Sequence, residues 1–207
     1  AVATFFTGSQ FSLNYLHNVQ WANKWHGLEA LLDARNVALG LAVLFLVKCN
    51  GSMFIINSVN DEDLINRSVR KLIVNAVAFL VFFLFFVISL LLSKGFAADN
   101  VTGNVAMMNY KYLINLLQMP VVFIFFLAGV AGVLYGLIIT IFRGSRKGIW
   151  FSGAGTVLTV FSLFLVAGFN GTAFYPSTYD LNSSLTIRNA SSSLFTLKTM
   201  MYVSFII

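Results

Sequence analysis

The sequence predicts an all-α integral membrane protein, a transmembrane helix bundle with four full spans and one truncated span. The first observation behind this prediction is composition. Hydrophobic residues make up 58% of the 207 residues and charged residues 10%, with a mean hydropathy of +0.85, which is typical of membrane proteins. The second is the uncharged apolar run at residues 72–92. As a helix rising about 1.5 Å per residue, this run crosses the roughly 30 Å hydrocarbon core of a bilayer.

Five segments are expected to form the spans of a single bundle that covers residues 1–207. They lie at residues 36–56, 72–92, 120–142 and 149–169, with a partial span at 197–207. Pro120 suits the first turn of the third span. Backbone N–H groups have no acceptor within the helix there, so the missing N–H of proline breaks no hydrogen bond. The last segment has about half the length that a crossing helix needs. We therefore expect the chain to be an internal fragment of a longer polypeptide.

The segments between the spans are expected to lie in water or at the membrane surface. Residues 1–28 include Trp21 and Trp25 beside polar residues, a mixture typical of the headgroup level. The remaining segments are interpreted as a polar loop at 57–71, a second loop at 94–104, an interfacial helix at 105–119 and a long polar loop at 170–198. Gly, Asn and Asp residues favour the loops, and the semi-apolar pattern favours the interfacial helix.

Basic residues cluster beside the spans and predict their orientation. The two clusters are Arg67, Arg70 and Lys71, and Arg143, Arg146 and Lys147. Because Lys and Arg gather in short cytoplasmic connections, we expect residues 57–71 and 143–148 to be cytoplasmic. Topology thus accounts for the net charge of +6, and no nucleic-acid partner is expected.

Lys48 is a charged residue inside the first predicted span, where an ionised side chain costs a few kcal/mol. One hypothesis is that Lys48 points into the bundle toward a carboxylate or a hydrated cavity. Gly51 and Ser52 then share its face and let a neighbouring helix approach. The alternative is that the lysine stem reaches back to the cytoplasmic headgroups. Asn50 is expected to bond a neighbouring helix.

Small residues recur in the third span at a spacing that favours close helix packing. Ala128, Gly132 and Gly136 are four residues apart, with Gly129 beside them. Such a register lets two helix backbones approach each other. The fourth span carries further small residues that support close packing, namely Ser152, Gly153, Gly155 and Ser162.

No catalytic or metal-binding motif is found in the sequence. Cys49 is the single cysteine, which excludes an intrachain disulfide. His17 and His26 precede the first span, and haem ligation by this chain is therefore not expected. Five Asn-x-Ser/Thr triplets begin at Asn66, Asn100, Asn170, Asn182 and Asn189. Asn66 lies in a predicted cytoplasmic loop and Asn170 at a span end, so the triplets are interpreted as incidental. The alternative of a polytopic transporter or channel-like protein with glycosylated loops stays open.

Several stretches resemble a known family. The most specific is SLTIRNASSSLFTLKTM at 184–200, which is similar to the last periplasmic loop of subunit II of the cytochrome bd quinol oxidases, including the cyanide-insensitive branch. The other matching stretches are KWHGLEAL at 24–31, NVALGLAVLFL at 36–46, YLINLLQMPVVFIFFLAGVAGVLYG at 112–136 and Tyr175-Pro176-Ser177. The resemblance covers the whole chain and corresponds to the carboxyl-terminal half of that subunit. Lys48 and Asn50-Gly51-Ser52 depart from it, because many members are more apolar there.

The resemblance implies a role in aerobic respiration at the bacterial cytoplasmic (inner) membrane. Such a complex oxidises quinol and reduces oxygen to water, with haems b and d and the main quinol site in subunit I. Subunit II is its haem-free, non-catalytic partner. The resemblance therefore implies no catalytic, cofactor-binding or metal-binding residue in this chain, and its expected partners are subunit I and the lipid bilayer.

Overall fold

The computed structural model describes residues 2–16, 18–99, 102–186 and 203. Within this part the helices are α1 (Thr4–Thr7), α2 (Ala34–Ser58), α3 (Glu62–Leu92), α4 (Lys111–Gln118), α5 (Pro120–Arg143) and α6 (Gly148–Gly168). The strands are β1 (Phe11–Leu13), β2 (Val19–Trp21), β3 (Lys94–Ala98) and β4 (Val105–Asn109). Short 3-10 helices occupy Leu28–Leu32 and Leu181–Ser183.

Four of these helices are long and apolar enough to cross a membrane. They are α2, α3, α5 and α6, with 25, 31, 24 and 21 residues. The prediction of an all-α membrane helix bundle with four full spans is therefore confirmed. The partial span predicted at 197–207 lies outside the described residues, apart from Val203.

The helix that contains the second span begins earlier than the predicted span. This helix, α3, starts at Glu62, where the Asp61 carboxylate accepts hydrogen bonds from the backbone N–H groups of Asp63 and Leu64. An aspartate in this position satisfies amides that have no helical partner, and acidic residues in the first turn suit the helix dipole. The prediction of a polar loop at 57–71 is therefore wrong, since the connection is only residues 59–61.

Two further segments differ from their predictions. Residues 94–104 and 105–119 were expected to be a loop and an interfacial helix. Instead, β3 and β4 form an antiparallel hairpin in which Lys94 pairs with Asn109 and Ala98 with Val105. The interfacial helix is reduced to α4. Near the start of the chain, β1 and β2 form a second antiparallel hairpin.

The four spans pack mainly as two antiparallel pairs, α2 with α3 and α5 with α6. The connections within these pairs, residues 59–61 and 144–147, lie at one end of the bundle, which we call the turn end. The described residues of 2–33, 93–119 and 169–186 lie at the other end and form what we call the cap. A cavity of about 310 Å³ between the four spans is lined by apolar residues such as Ala42, Phe79 and Val133.

Backbone hydrogen bonds connect the separate segments of the cap. The N–H of Ser9 donates to the carbonyl of Pro176 over 3.1 Å, and the N–H of Thr178 donates back to the carbonyl of Ser9 over 3.0 Å. The N–H of Ala98 donates to the carbonyl of Gly171 over 2.9 Å. The described part of the loop predicted at 170–198 is therefore held against both hairpins.

Candidate functional site

The backbones of α5 and α6 are in direct contact, and glycines make this contact possible. A Cβ atom built at Gly136 would lie 2.6 Å from the carbonyl oxygen of Gly148, and one at Gly132 would lie 3.2 Å from Cα of Gly155. Both distances are shorter than ordinary van der Waals contact, so the two backbones touch. Of the three small residues singled out on α5, Gly132 and Gly136 face α6, and their role in packing stays a proposal.

Ala128, the third of those small residues, is exposed on the outer surface of α5. Its neighbour Gly129 is buried and faces α6 instead, because a Cβ there would lie 2.5 Å from Oγ1 of Thr159. A strict spacing of four residues drifts around a helix that turns once every 3.6 residues. The face that meets α6 therefore follows the positions 129, 132 and 136.

Hydroxyl and glycine residues of α6 complete this contact. Ser152 and Ser162 are fully buried, whereas Gly153 has no atom within 4 Å of a built Cβ. The Thr159 hydroxyl donates to the carbonyl of Gly155 in its own helix over 2.9 Å. Hydroxyls that bond back to their own helix are satisfied without a separate partner, so they can pack like small apolar groups.

Among the described residues of the spans, a side-chain hydrogen bond joins the two helix pairs. The Ser152 hydroxyl donates to Oδ1 of Asn50 over 2.7 Å. This bond connects α6 to α2. Asn50 therefore bonds a neighbouring helix, as the sequence indicated.

Lys48 and Gly51 lie on the outside of the four helices. The Lys48 side chain is exposed, with Nζ 5.4 Å from the centre of the Phe45 ring. A Cβ built at Gly51 meets no atom within 4 Å. The Ser52 hydroxyl donates to the carbonyl of Lys48 over 2.9 Å. Lys48 thus faces outward rather than between these helices, and its role in packing with Gly51 and Ser52 stays a prediction.

In the cap, α4 provides polar side chains that bind the carboxyl end of α6. Asn115 is fully buried, and its Nδ2 donates to the carbonyl of Val166 over 3.0 Å and to Oγ1 of Thr172 over 2.6 Å. Nζ of Lys111, one turn earlier, donates to the carbonyl of Asn170 over 2.7 Å. The last carbonyls of a helix have no following amide to bond, and a cation there suits the helix dipole. Burial lowers the pKa of Lys111.

Tyr112 fixes the start of the described chain to α4. Its hydroxyl donates to the carbonyl of Phe6 over 2.8 Å, and the two rings meet edge to face at 5.5 Å. The Tyr112 side chain is fully buried, and this burial raises its pKa. Sequence reasoning missed this contact and the α4 network. The signal available was Lys111 and Asn115 spaced by one helical turn.

The described part of the specific motif at 184–200 helps to close the cap. The Ser184 hydroxyl accepts a hydrogen bond from the N–H of Ser177 over 2.9 Å. The Ser177 hydroxyl in turn donates to the carbonyl of Phe11 and accepts from the N–H of Asp180 over 3.1 Å. Next to it, the hydroxyl of Ser183 accepts from the N–H of Leu13 over 2.9 Å. These serines stabilise the loop against β1.

Of the two histidines considered as haem ligands, the structure describes one, and it lies outside the spans. His26 lies in the cap, with its ring centre 6.4 Å from that of Trp21, and His17 is outside the described residues. Met53 is buried in an apolar cluster between α2 and α3. No group of three or more His, Cys, Asp or Glu side chains suited to a metal ion occurs in the described part of the chain.

Four apolar helices, a close glycine-mediated contact and a folded cap define a multi-pass, all-α integral membrane protein. A family model described as cytochrome bd terminal oxidase subunit II matches residues 1–207. The chain therefore belongs to that family, which confirms the resemblance drawn from its motifs. Comparison with curated proteins finds no match. Membership of this family implies an oxidoreductase complex with a subunit I partner in a membrane.

Proposed function

We propose that this chain is a haem-free structural subunit of a membrane-bound bd-type quinol:oxygen oxidoreductase and that it supports the haem-bearing subunit I. The complex would act in aerobic respiration in a bacterial cytoplasmic membrane. The observation that carries the proposal is the family match over all 207 residues. The haems b and d of the partner would supply the electron-transfer chemistry, with quinol as the substrate of the complex.

The contribution of this chain is a fixed surface inside the membrane. The touching backbones of α5 and α6 hold those two helices in one arrangement, and the cap binds the ends of the spans. A membrane interface gains affinity when its helices do not have to be ordered on binding. The positions of the acidic residues along the chain also favour a structural role. The seven acidic residues are Glu29, Asp33, Asp61, Glu62, Asp63, Asp99 and Asp180.

None of these acidic residues lies in the apolar interior of a span. Glu29, Asp33, Asp99 and Asp180 belong to the cap, and the other three lie at the turn end. Proton paths through membranes commonly use intramembrane carboxylates. We therefore propose that the spans of this chain do not themselves relay protons by carboxylates.

Co-purification tests the proposal. The full chain would carry an affinity tag and be produced with and without its subunit I, and visible absorption spectra would be recorded on the purified material. We expect b- and d-haem bands only when subunit I is present. Haem bound to this chain alone would overturn the haem-free assignment. A stable monomer that moves a solute in liposomes would favour the transporter alternative instead.

A further inference from the structure

Three basic side chains lie on one face of α3 near its start. Arg67, Arg70 and Lys71 are all exposed, and residues three and four apart on a helix project from the same side. The side of α3 that packs into the bundle carries buried Ser68 and Leu72 instead. Because this stretch is helical and not a loop, the three cations form one patch, which we call the basic face.

The basic face lies at the boundary of the hydrocarbon. The uncharged apolar run 72–92 begins directly after Lys71, and as a helix it matches the hydrocarbon thickness of a bilayer. Arg67 lies four residues further out, which is about 6 Å along the helix. The headgroup layer on each side of a bilayer is about 5–8 Å thick. The three cations therefore lie at the level of the lipid phosphates.

No carboxylate in the described part of the chain neutralises the basic face. The nearest acidic residues in the sequence are at 61–63, before Arg67 and further from the hydrocarbon. The one ion pair among the described residues joins Asp33 and Arg35, in the cap. The basic face therefore offers its positive charge and its N–H donors to an anion from outside the chain.

The same side of α3 continues into the hydrocarbon as an apolar surface. Val74, Val81 and Phe85 follow Lys71 at intervals of three, seven and four residues, which keeps them on that side. All three are exposed. This side of α3 is thus cationic at the headgroup level and apolar below it. A phospholipid has the complementary order, with its phosphate above its acyl chains.

We propose that the basic face of α3 binds the phosphate of an anionic phospholipid whose acyl chains lie along Val74, Val81 and Phe85. Lipid phosphates surround any protein that crosses a bilayer at this level, so this occupant requires no further chain. Guanidinium groups bind phosphate oxygens through paired hydrogen bonds, and an ammonium group adds charge. Basic clusters beside a membrane helix favour anionic over neutral lipids.

Photo-crosslinking tests the occupant. The intact complex would be placed in nanodiscs of equal phosphatidylglycerol and phosphatidylcholine, with a photoreactive phenylalanine at position 74. We expect attachment to phosphatidylglycerol in at least about fivefold excess, which is the contribution of one basic residue near an anionic surface. Position 121 is exposed in the first turn of α5, with no Lys or Arg within four residues. As the control, it should attach to both lipids equally. Attachment at position 74 to a peptide, or to both lipids equally, overturns the proposal.

Charge removal tests the residues. Arg67→Gln with Lys71→Gln should bring the lipid ratio at position 74 close to one, and Lys71→Gln alone should lower it in part. Arg67→Lys with Lys71→Arg keeps both charges and should retain the excess. Lys94→Gln removes an exposed cation at the other end of α3 and should retain it too. An excess that persists in the double Gln variant overturns the proposal.

Two further readouts separate folding and function from lipid binding. Thermal unfolding in phosphatidylcholine alone should be the same for all these variants, because their side chains are exposed. Phosphatidylglycerol should raise the midpoint of the wild type and of the charge-keeping variant only, since a ligand of the folded state stabilises it. The inference goes beyond the proposed function. Its failure leaves that proposal unaffected, because attached lipid is measured and not haem.

A midpoint that phosphatidylglycerol raises equally in the double Gln variant would also overturn the assignment of the basic face.

Discussion

The two helix pairs of the bundle use different means of packing. In α5 and α6 the backbones touch, because Gly132, Gly136 and Gly155 have no side chain between the helices. In α2 and α3 large side chains fill the contact. Phe45 and Phe82 stack there with ring centres 5.9 Å apart.

The difference shows which contact tolerates change. Lipid tails are as apolar as the side chains, so helices associate in a membrane through close packing and hydrogen bonds rather than through the hydrophobic effect. A contact between backbones has no side chain that can move aside. A contact between large side chains can lose volume or adopt other rotamers without forcing the helices apart.

The largest effect is expected from a side chain inserted between α5 and α6. A Cβ at Gly155 would lie 2.6 Å from the carbonyl oxygen of Gly129, so Gly155→Leu must separate the helices. We expect a loss of about 3 kcal/mol or more of stability and little folded protein on size-exclusion chromatography in detergent. Gly153→Leu, two residues away and facing no atom within 4 Å, should behave like the wild type. Equal damage by both changes would contradict the backbone contact.

Removal of a buried ring tests the α2 and α3 pair. Phe79 is 4% exposed, and we expect Phe79→Ala to lower stability by about 3 kcal/mol through lost contacts and a cavity. Phe85→Ala on the same helix removes a ring that is 49% exposed and serves as the control. Thermal unfolding in detergent would measure both. If Phe79→Ala were harmless, this pair would not depend on side-chain packing.

A smaller loss is expected in the cap. Asn115→Leu removes the donor that binds the carbonyl of Val166 and leaves that buried group unpaired, which costs about 2 kcal/mol. Hydrogen exchange should become faster at the carboxyl end of α6. Leu117→Ala changes a residue of α4 that is 62% exposed and should leave exchange unaltered. Unchanged protection in Asn115→Leu would show that α4 does not hold the end of α6.

The smallest effect is expected for the bond that joins the two pairs. Ser152→Ala deletes the hydroxyl that donates to Asn50, and intramembrane hydrogen bonds average about 0.6 kcal/mol. A double-mutant cycle with Asn50→Ala should give a coupling energy of that size. A coupling of zero would mean that the Ser152–Asn50 bond does not help to hold the pairs together.

The sequence by itself determined the class of protein and the four spans. Unpaired backbone groups and charges are costly in hydrocarbon, so a segment that satisfies its own backbone while crossing is a long apolar helix, and residues 72–92 show this locally. The small residues Gly132 and Gly136 could also be found from their spacing. The start of α3 at Glu62 was not predicted, because the part of a helix that extends into water needs no run of apolar residues. The signal available for it was Asp61, a residue type that often caps a helix amino terminus.

The tertiary structure alone decided which faces and segments meet. On α5, Gly129 rather than Ala128 faces α6, and the Lys48 side chain lies on the outside of the bundle. Asn115 bonds the carbonyl of Val166 at the end of α6, 51 residues further along the chain. Local sequence patterns predict whether a segment is a helix or a strand and whether it favours lipid. They do not report the partner that faces it, because such contacts join residues far apart in the chain and depend on how whole helices pack.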